Sequence, residues 1–156
     1  MNTRPANPAN SRVRLSSSII RFRVGPYTMG IEAESLREIS RDQDLSGQRR
    51  KSLTILSAHE IFGVPTGAEL HLLVLNPGGV AIRVDRVERM VVTARISPLP
   101  QAFQGEERVW FRGLAWVEGV VFPILDPERA WREAHSRACE TIYRAGAPPE
   151  APSTQV

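Results

Sequence analysis

The chain has 156 residues, one cysteine and a formal net charge of +3, which suits one domain, or two small packed subdomains, with a core that needs no cross-links. The lone Cys139 excludes an internal disulfide framework and a four-cysteine zinc site, and no apolar run approaches the roughly 20 residues of a membrane span. Arginine outnumbers lysine 19 to one, a ratio that reads as the coding bias of a GC-rich genome, and the positive balance permits a nucleic-acid partner without arguing for one.

In chain order, residues 1–17 are rich in Pro, Asn, Ser and Arg, with no apolar period and no segment of signal-peptide type. They predict a disordered tail on a cytoplasmic protein, with Ser16, Ser17 and Ser18 as a linker run. From there the dominant period is two. Ile20, Phe22 and Val24 alternate with Arg21 and Arg23, and Gly25-Pro26 turns the chain into "YTMGI". "LREI" (36–39) and "LTIL" (53–56) read as further strands. Ser57-Ala58-His59-Glu60 has the spacing of a capping box and predicts a short helix through Phe62 that stops at Gly63. "ELHLLVL" (69–75) and "VAIRV" (80–84) flank Asn76-Pro77-Gly78-Gly79, a hairpin signal. "RVERMVV" (86–92) gives another strand. "VWFRGLAWV" (109–117), a Glu118-Gly119 turn and "VVFPIL" (120–125) predict a second hairpin.

The period then changes. Asp126-Pro127 pairs an N-cap with a first helical position, and the following residues run without Gly or internal Pro to Ala145. Ala130, Ala134, Ala138 and Ile142 share one face of this terminal helix, with Trp131 and Tyr143 beside it. Residues 145–156, with Pro148, Pro149 and Pro152, predict a second disordered tail. Many short strands with one short and one terminal helix indicate an all-β barrel architecture over 18–144.

The chain carries little of the chemistry of an enzyme. His59 stands beside Glu60, but the HExxH zinc pattern fails because position 63 is Gly. His71 alternates outward on its strand. His135 and Cys139 could offer two metal ligands where a site needs three or four, so both read as surface helix residues. No GxSxG, phosphate-binding loop or GxGxxG is present. No catalytic residue, metal site or cofactor is therefore expected. Nucleic acid has two interleaved candidates, Arg21-Phe22-Arg23 and Trp110-Phe111-Arg112, since small barrels bind single strands with basic grooves and stacking aromatics. Phe22, however, faces inward if its neighbours face water, and Trp110 and Trp116 on one strand face read equally well as core or as a protein-binding patch.

One corner stands out. In "VAIRVDRVERMV" (80–91) the alternation of Val80, Ile82 and Val84 breaks at Asp85-Arg86 and resumes out of phase at Val87, Met90 and Val91. A phase change on a strand means a bend, a bulge or a new strand. Catalysis, a metal, a phosphate or a structural joint could each place charges there. Asp85 and Glu88 sit among Arg83, Arg86 and Arg89, and local ion pairing accounts for them without a reaction.

The order of four motifs resembles the CheW-like domain family. These are "IIRFRVGPYTMGIEAESLREIS" (19–40), "ILSAHEIFGVP", "LLVLNPGGVAIRVDRVERMV" with Val84-Asp85-Arg86-Val87 at the family's Val-Asp-x-Val step, and "VWFRGLAWVEGVVFPILDPERAW". The resemblance spans residues 19 to about 132. It implies two packed, five-stranded, SH3-like barrels with the C-terminal helix beside them. It also implies a non-enzymatic adaptor that binds the regulatory domain of a CheA-type histidine kinase and couples it to methyl-accepting chemoreceptors, without inserting in the membrane. Asp85-Arg86 then becomes a joint between strands, with Asp85 bonding nearby backbone or an arginine. Glu38 and Ile39 match the family's Glu-Ile step. Val87 and Arg89 follow the signature, and Arg112 and Gly113 lie on the closing hairpin; these six are the candidate protein-binding residues. Two departures count. "RDQDLSGQRRKS" (41–52) has no Asn-x-Arg-Gly turn, which in the family contributes to receptor contact, so a strand of the first barrel should be missing or shortened and the kinase half of the role favoured. Ala81 and Arg83 also replace a glycine and an apolar residue. The alternative is a small-barrel binder of single-stranded nucleic acid.

Overall fold

A computed structural model describes residues 16–103 and 105–146, without the side chains of residues 89, 106, 107, 138 and 140–146. The disorder expected of the outer parts of both tails lies outside the described residues. Among the described residues, nine strands form two sheets. Strands β1 (Ser16–Val24), β2 (Tyr27–Glu32), β7 (Arg86–Ser97), β8 (Phe111–Val117) and β9 (Val120–Leu125) close a barrel in the order β1-β2-β9-β8-β7. Strands β3 (Leu36–Arg41), β4 (Thr54–Ser57), β5 (His71–Leu75) and β6 (Val80–Val84) make a four-stranded sheet ordered β3-β5-β6-β4. Four short or terminal helices complete the fold: α1 (Gly47–Lys51), α2 (Ala58–Phe62), α3 (Glu106–Trp110) and α4 (Pro127–Gly146).

The expected pairing of two β units with a terminal helix is what the chain builds, and the second unit has four strands where a full barrel would have five. The four-stranded unit is the one that contains residues 41–52, the segment without an Asn-x-Arg-Gly turn. Residues 42–44 form a 3-10 turn and Gly47–Lys51 a helical turn, whose N-cap Ser46 accepts the Arg49 N–H at 3.1 Å. This segment covers the outer face of the sheet, where Leu45 packs on Leu72, Val74 and Ala81. Arg50 and Arg83 both reach Asp42, at 3.0 and 3.5 Å, and pin the segment to β6.

Two of the predicted helix signals act as expected. The Ser57 hydroxyl accepts the Glu60 N–H, and α2 ends with Gly63 in the left-handed region. The Asp126 carboxylate accepts the Glu128 N–H at 3.0 Å at the start of α4. Three boundaries differ. Ser16–Ser18 are strand rather than linker, paired with Arg95, Ala94 and Thr93. Strand β7 runs on to Ser97 because its far end turns to pair with β8 at Ile96↔Ala115 and Ser97↔Leu114. Val109 and Trp110 belong to α3 and not to β8. Trp110 is thereby turned into the core, while Trp116 stands 65% exposed, so the two tryptophans do not share a strand face.

The main core lies between the barrel, the four-stranded sheet and α4. Phe22, Val24, Met29 and Ile31 from the barrel meet Leu56, Leu73, Ile82 and Val84 from the sheet, and Ala130 and Ala134 close it. Small residues at i and i+4 let the helix axis approach the strands closely. A smaller cluster, Ile19, Ala94, Ala115, Phe122 and Ile124, fills the barrel itself. Burial at this density favours folding by about 1.5–3 kcal/mol for each large side chain.

Candidate functional site

Asp85 occupies the single residue between β6 and β7, where the chain leaves one sheet and enters the other. Its backbone N–H donates to the Arg23 carbonyl at 3.0 Å. Its carboxylate accepts the Gly25 N–H at 2.6 Å, the Gly67 N–H at 3.2 Å and the His59 ring at 2.7 Å. Its carbonyl meets Nδ1 of His71 at 3.1 Å. One residue therefore ties the β1–β2 turn, α2, the loop before β5, and β5 itself. Partial burial pushes the carboxyl upward in pKa, but the Gly25 N–H, His59 and the Gly67 N–H outweigh it and hold Asp85 below its ordinary value.

The corner is a joint built on backbone donors and His59. Of the two partners expected for Asp85, nearby backbone or an arginine, it takes the backbone, with His59 beside it. Two of its companions pair away from the corner: Arg83 goes to Asp42, and Glu88 pairs with Arg21 at 2.9 Å. Alternating side chains on a strand point to opposite faces, so sequence neighbours reach different partners. His59 is 2% exposed, and its Nδ1 has no hydrogen-bond partner. Nε2 faces the Asp85 carboxylate, and Nδ1 is left in the core without a partner. The pair lacks a nucleophile to activate, since Nδ1 touches neither hydroxyl nor thiol. His71, expected to face outward, is half-buried and bonded to the same joint. Among the described residues no group of three or more His, Cys, Asp or Glu is arranged to hold a metal.

The six candidate contact residues fall into two groups on different sheets. Glu38 and Ile39 are on β3, an edge strand of the four-stranded sheet, just beyond an irregularity in its pairing with β5. Glu38 takes both arms of the Arg49 guanidinium at 2.8 and 2.9 Å and the Ser40 hydroxyl at 2.6 Å. Those hydrogen bonds, Arg49 first, hold its pKa at about 2 against an ordinary 4.5. Ile39 is half-buried against the main core. The other group lies on the barrel. Val87 faces Phe22 and is buried. Arg89 is on β7, its side chain not described. Arg112 is half-exposed and pairs with the buried Glu32, 80 residues away in sequence. Gly113 is where β8 crosses β7 most tightly: a Cβ there would collide with the Ser97 carbonyl and stand 2.6 Å from the Ile96 side chain.

The nucleic-acid candidates lose their stacking faces. Phe22, Trp110 and Phe111 are all buried, Trp110 edge-on to Phe62 at 6.1 Å and beneath the Arg129 guanidinium at 5.2 Å. Sequence reading missed an apolar cleft beside the β8–β9 hairpin, lined by Tyr27, Met29, Phe62, Phe111, Val121 and Pro123. Its one signal was "VV" at 120–121, too apolar for a strand that faces solvent. Among the described residues, no helix is long and apolar enough to cross a membrane.

No protein-family model matches the chain, and no curated protein matches by sequence. Among solved structures, the scaffolding protein CheW of Thermoanaerobacter tengcongensis superposes with a TM-score of 0.56 at 14% identity, over 72% of this chain and 90% of that one. The likeness is one of fold, and it is the CheW-like fold.

Proposed function

We propose that this protein is a divergent CheW-like adaptor of bacterial chemotaxis-type signalling, cytoplasmic, working through protein contacts and not through a reaction. The observation that carries the reading is the shared architecture: a barrel and a second sheet joined in one core, in common with a scaffolding protein over most of both chains. The proposed adaptor unit is residues 18–144, and its proposed partner is the regulatory domain of a CheA-type histidine kinase. The proposed protein-binding residues are Glu38 and Ile39 on the four-stranded sheet and Val87, Arg89, Arg112 and Gly113 on the barrel strands. Coupling to a methyl-accepting chemoreceptor ranks second, because residues 42–51 fold as two short helical turns over the sheet in place of the Asn-x-Arg-Gly segment. Single-strand nucleic-acid binding is the weaker alternative, since the aromatics it needs are in the core.

Titration calorimetry against the regulatory domain of a CheA-type kinase from the same genome tests the reading. Saturable binding near about micromolar dissociation constant is expected, weakened about tenfold by Arg112→Glu. A folded protein that shows no heat of binding would sink it.

A further inference from the structure

Strand β1 starts before its pairing with β2 does. Ser16, Ser17 and Ser18 pair with Arg95, Ala94 and Thr93 of β7, whereas the pairing with β2 begins at Ile19↔Glu32. Beyond Glu32 the chain enters the 3-10 turn Ala33–Ser35, which leaves that side of β1 without a neighbouring strand among the described residues. The gap is a pocket of about 870 Å³ lined by Ser16, Ser17, Ser18, Glu32, Glu34 and Arg112. A strand edge that opens on a pocket is the geometry of strand addition, where main-chain bonds hold an extended segment and pockets select its side chains.

Glu34 also lines a second pocket, of about 470 Å³, with Asn76, Glu128 and Trp131, so the two meet in one groove from β1 to the start of α4. Its far end is held in place. The Trp131 indole N–H donates to the Asn76 carbonyl at 3.2 Å, and the Asn76 side-chain amide donates to the Glu34 and Leu36 carbonyls at 3.0 and 3.2 Å.

Charge identifies the occupant. Three carboxylates, Glu32, Glu34 and Glu128, line the groove against one guanidinium, and that one, Arg112, is engaged by the buried Glu32. Glu34 is exposed and, among the described residues, forms no ion pair. Glu128 reaches Arg132 at 3.7 Å with both side chains open to solvent, a pair of little worth. A cationic side chain seated there meets two carboxylates and a fixed aromatic ring, the surroundings that favour guanidinium and ammonium groups.

We infer that this groove is a docking site for an extended, basic segment of another protein, which pairs with the edge of β1 at Ser16–Ser18 and places an arginine or lysine side chain by Glu34, Glu128 and Trp131. The inference goes beyond the kinase contact proposed above, with which the groove shares Arg112 alone.

A random short-peptide library displayed on phage and selected against the full chain tests this, followed by NMR titration with a synthetic peptide of the enriched sequence. Enriched sequences should carry Arg or Lys, and the peptide should shift the amides of Ser17 and Glu34 and the Trp131 indole N–H. Its affinity should fall about tenfold for the Glu34→Arg/Glu128→Arg variant and should weaken as salt rises. Both positions are exposed. The milder Glu34→Gln/Glu128→Gln variant, whose fold an amide spectrum verifies, should fall between that variant and the parent. Enrichment of acidic or uncharged sequences, or no enrichment, overturns the proposal. So do shifts confined to another surface. Self-association that Glu34→Arg/Glu128→Arg abolishes overturns it too, since the groove would then seat a second copy.

Discussion

Two carboxylates in this chain carry depressed pKa values for different reasons, and acid separates them. Glu38 is held at about 2 by Arg49 and Ser40. Its contribution to folding is present above the unfolded value of 4.5 and is lost as pH falls from there toward 2. An NMR titration should show this midpoint directly, and Arg49→Gln should move it back toward 4.5; a midpoint near 4.5 in the parent protein would show that the fork is not formed in solution. Asp85 has the same sign, with its contribution intact above 3.8 and lost below it. It differs in what it holds. Asp85→Ala leaves the Gly25 and Gly67 N–H groups and the buried His59 without their acceptor, and should lower the unfolding free energy by about 3 kcal/mol in urea titrations. Asp85→Asn, which keeps an acceptor oxygen and loses the charge, should cost less. Equal losses for the two variants would show that the negative charge, and not an acceptor oxygen alone, carries the joint.

At the scale of strands and helices, two glycines set how closely neighbours approach. A methyl at Gly30 would lie 2.8 Å from both the Ile19 and Phe122 side chains, which can shift a little, and Gly30→Ala should cost about 1–3 kcal/mol. At Gly113 the obstacle is the Ser97 backbone, which cannot give without breaking the β7–β8 pairing. Gly113→Ala should therefore destabilise more and disturb the amide spectrum of β7, an ordering that paired denaturation curves check. Such contacts explain why some elements were legible in the sequence and others not. The alternation of Ile20, Phe22 and Val24, the Ser57–Gly63 caps and the Asp126-Pro127 helix start are local rules, and each holds. The end of β7 and the assignment of Val109 and Trp110 depend on partners far along the chain. The candidate site was less legible still: Arg112 and Glu32 meet across 80 residues, and His59 is drawn inward by a carboxylate that no spacing rule connects to it. The cleft left only the apolar pair Val120-Val121 as a trace, because a splay between two strands has no sequence signature of its own.

For the whole molecule, the two sheets share one core, and the chain passes between them twice, through Ala33–Ser35 and through Asp85. They should unfold together, in one transition seen alike by far-UV circular dichroism and by fluorescence. Helix α4 belongs to that unit through Ala130 and Ala134. A chain ending before Pro127 should keep strand content yet bind hydrophobic dyes and lose cooperativity, as a core does when its lid is gone. A truncated chain that still melts sharply would place α4 outside the unit. The three tryptophans also happen to sample three depths: Trp110 buried in the core, Trp131 half-buried with its indole donating to the Asn76 carbonyl, and Trp116 open to solvent. The protein thus carries its own optical labels. Quenching by acrylamide should act first on the Trp116 component and next on Trp131, so a segment seated in the groove would announce itself as a shielding of that second component, while the Trp110 signal kept watch on the core in the same sample.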